Sequence, residues 1–543
     1  MQSIEIVLTM LLAVLASGYL VRVLPFALPL PLVQIALGAA VAAVPARGVA
    51  LDPDIFFLLF LPPLLYLDGW RIPKEGLFRD ARVILQLALG LVVFTVVGAG
   101  FLIHWLIPAM PLAVAFALAA IVSPTDPIAV SAIAARAPIP RRLMHIIEGE
   151  SLLNDASGLV CFRFAVAAAL TGGFSAGAAV TTFLWLALGG VAIGVGVTLG
   201  INRVHIWITR HFGEDSGTPI LISLLTPFGA YLLAEHLQAS GILAAVAGGV
   251  TMSYVELSGA ALAATRLQRT AVWDAVQFAL NGIMFVLLGE QLPGILRGAV
   301  ASVEQSGHLN PWWLAAFALL INVALAALRF VWVWATLRAS AFVARRHGEA
   351  APLMPRRLVV AMSLAGVRGA ITLAGVLTLP YTLADGNAFP ARELAIFLAA
   401  ATILLSLLTA SIGLPRLLVG LDVPPEPDAA REEDFARRAA ADAAVAAIER
   451  AQHALPAAKA DPATYAAAAL RVASLYQRRR DGDAAGVGAD ALREADRAER
   501  ALRLVGLQAE REAVFTLARH NRISDDIARR LVREIDLVEA RYR

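Results

Sequence analysis

With a single cysteine, Cys161, in 543 residues, the chain can form no intramolecular disulfide and no cysteine-rich metal site; the thiol lies in an apolar stretch and reads as a small packing residue. Charge is scarce as well. Only 16% of the residues are Asp, Glu, Lys or Arg, against 59% hydrophobic, and the mean hydropathy is +0.71. That balance excludes an ordinary soluble globule and places the chain among membrane proteins. The beginning, "MQSIEIVLTMLLAVLASGYLVR", lacks a basic leader and a small-residue cleavage site, so it reads as a first membrane span and not as a removed signal.

Apolar runs of roughly 17 to 25 residues, the length needed to cross a bilayer, recur through the first three-quarters of the sequence. About 13 spans are predicted on that criterion: 3–22, 25–44, 54–70, 83–107, 111–135, 143–170, 178–202, 217–238, 240–255, 271–292, 311–337, 357–380 and 393–419. The fold class is therefore an all-α polytopic membrane protein. Basic residues are distributed unevenly between the intervening loops. One set of alternate loops carries Arg22, then Arg71, Lys74, Arg79 and Arg82, then Arg136, Arg141 and Arg142, and continues with Arg203, Arg210, Arg266, Arg269, Arg338, Arg345, Arg346, Arg356 and Arg357. The other set holds only Arg47, Arg297 and Arg392. By the positive-inside rule the amino terminus is outside and the carboxyl terminus cytoplasmic. The pI of about 9.2 is explained by this topology and implies no nucleic-acid partner.

Beyond residue 421 the composition changes. "DVPPEPDAAREED" supplies a Pro-rich acidic linker, placed at 422–430, and the remainder, 431–543, is rich in Ala, Arg and Glu with helical periodicity. A membrane domain over 1–421 is thus followed by a cytosolic helical domain. Its helices are expected at roughly 431–455, 463–480, 489–519 and 524–542, the last opened by Ser524 with Asp525 and Asp526 in its first turn. His453 and His520 read as solvated helix residues, and the tail carries no metal, nucleotide or catalytic pattern.

Polar residues inside the spans are few and concentrated. In "IVSPTDPIAVSAIAAR", residues 121–136, Pro124 and Pro127 bracket Thr125 and Asp126 at mid-span. Each proline removes a backbone donor and crowds the preceding turn, so the helix should break here. A break at membrane depth is tolerated where it is buried in protein or lines a cavity, and its freed carbonyls and half-helix ends can build an ion site. The next span holds "EGESLLNDASG", residues 148–158. At 100° per residue, Glu150, Ser151, Asn154 and Asp155 fall within an arc of about 140° and present oxygen from one side of a helix. Oxygen-only ligands suit hard cations and argue against a transition metal. Glu148 reads as a mouth or capping residue.

A third polar site, "SLAGVRGAITLAGVLTLP" at 363–380, places Arg368 between Gly366 and Gly369, which permits an unwound backbone around a fixed positive charge. Arg329 in "AALRFVWVW" is a second buried cation. Against Asp126, Glu150 and Asp155, these two arginines leave the cluster short of about one positive charge if all groups are ionised, a deficit that a bound cation or a proton can fill. Arg163 and Asp68 have no role derivable at this level.

The strings "SPTDPIAV", "EGESLLNDASGLV", "AEHLQASGILAAVAGGV", "NGIMFVLLGEQLP" and "GVRGAITLAGV" resemble the bacterial members of the monovalent cation:proton antiporter-1 family, the NhaP-type sodium/proton exchangers. The first two, in this order and spacing, carry most of the specificity. "ISDDIARRLVREIDLVEAR" resembles the cytosolic tail of a bacterial subgroup. The resemblance implies a 13-helix inverted-repeat fold with broken crossing helices, commonly a homodimer, in which a six-helix core moves against a dimerisation panel. It implies an Na⁺ site at Asp155, the carboxylate that alternates between proton and cation, with Thr125 (through its backbone), Asp126, Glu150, Ser151 and Asn154 around it. Arg368 and Arg329 fall on the family's structural arginines. An Asn at 154, where electrogenic relatives have a second Asp, implies one-for-one electroneutral exchange serving pH and sodium homeostasis, with no cofactor and no enzymatic activity. Glu290 in "LGEQLP" departs from an apolar position and reads as a charge near the outer end of its span.

Oxygen ligands alone do not separate Na⁺ from Li⁺ or K⁺, so a K⁺/H⁺ antiporter is the alternative. A transport-inactive sensor acting through the tail is disfavoured by the retention of every carboxylate and both arginines. An intramembrane hydrolase is disfavoured by the absence of a suitable serine or paired-aspartate motif. A channel would need a continuous pore.

Overall fold

The computed structural model describes residues 2–23, 28–43, 53–72, 80–126, 130, 141–172, 176–212, 217–257, 263–305, 312–346, 356–383 and 386–418, and in the tail 442–448, 450, 470, 472–474, 503–516 and 525–539. It divides into two compact units, Met1–Leu421 and Asp422–Arg543.

The first unit is helical throughout its described spans. In chain order these are α1 (Gln2–Val23), α2 (Leu30–Ala42), α3 (Pro53–Arg71), α4 (Ala81–Leu106), α5 (Leu112–Ile121), α6 (Arg141–Thr171) and α7 (Ala176–Phe212). Then follow α8 (Gly217–His236), α9 (Gly241–Leu257), α10 (Ala263–Gln305), α11 (Trp312–Arg346), α12 (Arg356–Leu364), α13 (Ala370–Leu377) and α14 (Arg392–Leu418). Each predicted span overlaps one of these helices or, in the twelfth, the pair α12 and α13; of the fifth, 111–135, α5 covers only the first part, and 127–129 and 131–135 lie outside the described residues. The spans with charged ends run longer than hydropathy indicates: α7 continues ten residues past 202, and α10 begins at 263. Arg203, Arg210, Arg266 and Arg269, read as loop residues, therefore lie on helices, because the length criterion registers only the apolar middle of a helix.

The helices form two groups. In one, α3 packs along α9, α2 along α10, and α7 and α8 along α9, with α1 against α2 and α10. Small residues permit these close crossings: a Cβ on Gly38 would meet the Val286 carbonyl oxygen at 2.0 Å, and one on Gly289 the Ile35 carbonyl oxygen at 2.0 Å. In the other group α4, α5 and α6 pack together, α11 and α14 hold α12, and α11 joins the two sets through α4. The fourth to sixth spans and the eleventh to thirteenth spans each have an interrupted middle member. Corresponding members of the two triplets are offset by seven spans, an odd number, so they traverse the membrane in opposite directions. This is the inverted repeat in physical form.

Both interruptions are local consequences of sequence. α5 stops at Ile121, and residues 123–126 run without helix through Pro124, whose ring cannot continue the hydrogen-bond ladder; Pro127 lies outside the described residues. Residues 366–369, "GVRG", separate α12 from α13. A further irregularity is a π-helical turn at Gln86–Leu91 within α4.

In the tail unit, 442–448, 503–516 and Asp525–Glu539 are helical. Arg511 clips the last two together by donating to Asp536 Oδ1 (Nε, 3.0 Å) and to Glu539. The linker at 422–430, most of the helix expected at 463–480, the first part (489–502) of that expected at 489–519, and Ser524, His453 and His520 lie outside the described residues.

Candidate functional site

The two interruptions meet. The Asp126 backbone N–H donates to the Val367 carbonyl oxygen at 2.7 Å, so the two unwound segments cross. Gly369 permits the approach, since a Cβ there would stand 2.2 Å from Asp126 Oδ2.

Unwinding frees backbone carbonyls, and the two buried arginines take them up. Arg368 donates through Nε to the Val122 oxygen at the end of α5 (2.8 Å) and through Nη1 to its neighbour Gly366, while its backbone N–H reaches Ser406 Oγ at 3.0 Å. Arg329 donates through Nε to the Met362 oxygen in the last turn of α12 (3.0 Å). Its other two nitrogens fork onto Glu150, Nη1 to Oε1 at 2.5 Å and Nη2 to Oε2 at 2.6 Å. This pair is almost fully buried, at 3% and 1% exposure. A bidentate Arg–carboxylate geometry is what allows an ion pair to persist in a low-dielectric interior.

α6 grips the unwound end of α5 through three side chains. Ser151 Oγ donates to the Thr125 carbonyl oxygen (2.6 Å), Asn154 Nδ2 donates to Thr125 Oγ1 (3.0 Å), and Thr125 Oγ1 donates to Glu150 Oε1 (3.4 Å). Asn154 Oδ1 is buried and receives no donor among the described residues.

Between these segments and α3 and α10 lies a cavity of about 330 Å³. Its polar lining comprises Thr125, Asp126, Glu148, Ser151, Asp155 and Thr372 from one helix group, with Asp68, Arg71 and Gln277 from the other. Four carboxylates thus face one guanidinium. Leu61, Leu65, Met284 and Ile371 supply apolar wall. The Asp155 carboxylate, on a residue only 6% exposed, accepts no hydrogen bond from the described residues, and the same holds for the half-buried Asp68 and Glu148. A cavity of this volume holds about ten waters at ~30 Å³ each, enough for a cation and part of its hydration shell.

The structure thus divides the polar residues predicted on α6. Ser151 and Asp155 line the cavity together with Thr125 and Asp126, whereas Glu150 and Asn154 turn away into the Arg329 and Thr125 network and are absent from the lining. The signal was available: positions 150 and 154 sit 40° apart, 151 and 155 lie 100° and 140° from 150, and Glu148 at 160° belongs with the second pair. Spacing 148, 151, 152, 155 is an i, i+3, i+4, i+7 face, and all four residues line the cavity. Asp68, to which the sequence assigned nothing, enters because α3 packs across the site. Arg163 pairs with Glu235 at 3.6 Å, away from the cavity lining. Glu290, read near the outer end of its span, is buried within α10, 6% exposed, and accepts from the Gln291 side-chain amide at 2.7 Å.

A carboxylate-lined cavity where two broken helices cross, in a chain built of apolar membrane-length helices, defines an ion-coupled secondary transporter. The chain belongs to the sodium/hydrogen exchanger family, whose transmembrane-region model matches residues 7–420. It is 41% identical over 541 residues to the uncharacterized Na(+)/H(+) exchanger YjcE of Escherichia coli (strain K12), with 98% of each chain covered. It is 42% identical over 416 residues to the sodium, potassium, lithium and rubidium/H(+) antiporter of Bacillus subtilis (strain 168), covering 76% of this chain and 61% of that protein. The structure of the sodium proton antiporter MjNhaP1 from Methanocaldococcus jannaschii at pH 8 matches 78% of this chain and 99% of that one, with a TM-score of 0.58 at 17% identity, and so shares the fold. The protein is a multi-pass sodium/proton antiporter of this family and not an enzyme.

Proposed function

We propose that the chain exchanges one monovalent cation, Na⁺ foremost, for one H⁺ across the bacterial inner membrane, with the amino terminus outside and the tail in the cytoplasm. Asp155 is the exchanging carboxylate, and Thr125, Asp126, Ser151 and Asp68 complete the cavity in which it is discharged. The observation that carries this reading is the contrast between two buried acids one turn apart on α6. Glu150 is neutralised within the protein by Arg329, whereas Asp155 has no such partner among the described residues and faces the cavity. A lone carboxylate at membrane depth is costly unless something neutralises it. A proton or a cation can do so, each excluding the other. If the helix groups shift only with Asp155 discharged, a proton gradient drives the cation the other way.

Glu150, Arg329, Asn154 and Arg368 then hold the crossing in shape. Asn154 contributes an amide where a second acid would add a second charge to carry, which supports electroneutral stoichiometry. The cavity discriminates by oxygen chemistry alone, so Li⁺ and K⁺ are further substrates; the breadth of cations in the name of the Bacillus relative favours this. Lipid and a second copy of the chain cover the exposed apolar faces of α1 and α7, and the tail unit regulates. Sodium and pH homeostasis follow as the cellular role.

The test is flux in proteoliposomes with an internal pH dye. Imposed Na⁺, Li⁺ or K⁺ gradients should move protons without a membrane current, and Asp155→Asn should stop the movement while the protein inserts normally. Proton flux surviving in that variant, or a steady current through the unaltered protein, would remove the proposal.

A further inference from the structure

Arg71 is the single guanidinium among the described cavity-lining residues, and its direction is unexpected. It ends α3 one turn beyond Asp68, and residues three apart on a helix share a face where opposite charges ordinarily pair. They do not pair here. Arg71 turns across to α10, where Nη1 donates to Gln277 Oε1 at 2.7 Å and Nη2 donates to Asp274 Oδ1. Asp68 is left without a hydrogen-bond donor to its carboxylate among the described residues, as is Glu148 on the opposite wall. Asp274 and Gln277 are themselves three residues apart, so one face of α10 presents both acceptors. The holding pair is solvent-accessible, with Arg71 40% and Asp274 59% exposed, whereas Asp68 lies deeper in the same cavity.

We propose that Asp274 and Gln277 are positioning residues that park the Arg71 guanidinium on α10, away from Asp68, and so keep the protein's own cation from competing with the transported one. Released from α10, Arg71 needs only a rotamer change to present its charge to Asp68 on its own helix. A tethered cation at high local concentration would then occupy part of the site that a free ion must enter. The inference rests on the reading of the cavity as the cation site.

The experiment is a double-mutant cycle on the full-length protein in proteoliposomes, reading the Na⁺ concentration that gives half-maximal proton flux. Asp274→Asn should raise it about two- to fivefold, the factor a solvent-exposed ion pair can supply, with little change in maximal rate. In an Arg71→Gln background the same Asp274→Asn change should have no effect, because nothing remains to be released. Gln277→Leu, which alters no charge, should give a smaller rise that Arg71→Gln also abolishes. An unchanged half-saturation in Asp274→Asn and Gln277→Leu, or an equal factor with and without Arg71, would overturn the proposal; the latter would mean that Asp274 acts only through the field at the mouth. Asp155→Asn in the same series separates the two levels: continued exchange there refutes the cavity reading, whereas its loss beside an additive cycle refutes only the role given to Asp274 and Gln277.

Discussion

Pro124 lies so close over Gly158 that a Cβ on the glycine would sit 2.3 Å from the proline Cγ and 3.0 Å from the Ala120 carbonyl oxygen. The unwound end of α5 therefore rests directly on α6, one turn beyond Asp155. Gly158→Ala should displace the 123–126 segment from α6 and stretch the bonds that Ser151 and Asn154 make to Thr125. Overpacking of this kind costs about 1–3 kcal/mol. Exchange should fall further than the loss in thermal stability in detergent accounts for, because the same displacement moves Asp126. Wild-type flux in Gly158→Ala would show that this packing does not position the site.

The Arg329–Glu150 pair should behave as a buried charge pair and not as a ligand. Arg329→Met leaves Glu150 without its counter-ion in an apolar interior, and Glu150→Leu strands the guanidinium; breaking one member of a buried pair costs about 3–5 kcal/mol. Removing both together leaves no orphaned charge. The double variant Glu150→Leu with Arg329→Met should therefore melt well above either single variant, measured in the same detergent by thermal-shift fluorescence. Three equal melting temperatures would mean that the pair carries no such energy.

Much of this arrangement was legible in the chain, and the exceptions share a cause. Membrane-length apolar runs locate the spans, and the Pro-bracketed "SPTDP" and Gly-bracketed "GVRG" locate the two breaks, because each is a local property of backbone and solvent. Glu148 was equally local but was hidden by drawing the polar face of α6 too wide, around Glu150. Asp68 could not be read at all: nothing near it in sequence is unusual, and it becomes a site residue only when α3 packs opposite the crossing. The burial of Glu290 was likewise invisible, because it comes from the packing of α10, which continues as helix to Gln305.

If Asp155 is discharged by either of two ions, binding itself must exchange them. Adding Na⁺ to the purified, weakly buffered protein at fixed pH should release protons, and the apparent Na⁺ affinity should weaken as pH falls, because protons then hold the same carboxylate. Calorimetry in buffers of different ionisation enthalpy counts the protons released. Asp155→Asn should release none, and Glu150→Gln, if it folds, should release as many as the unaltered protein. Proton release that persists without Asp155 would assign the exchange to another of the cavity acids.

Asp68 and Glu148 line the same cavity without a hydrogen-bond donor among the described residues, yet their surroundings differ in a way that salt can reveal. Asp68 is carried by α3 in the wall facing the crossing, one turn deeper than Arg71. Glu148 lies two turns from Asp155 on α6, and the sequence reads it as a mouth residue, reached by water and dissolved ions. A mouth charge attracts cations through a field that is screened over roughly 8 Å at physiological ionic strength, whereas a charge inside the cavity acts over contact distances that mobile ions do not fill. Asp68→Asn should therefore raise the half-saturating Na⁺ concentration about fivefold, the equivalent of ~1 kcal/mol, and the factor should persist when choline chloride is added. Glu148→Gln should raise it by less than about twofold at physiological ionic strength, with a larger factor in dilute buffer. Equal effects with the same salt dependence would mean that both carboxylates act from the vestibule and that the cation passes Asp68 without being held there.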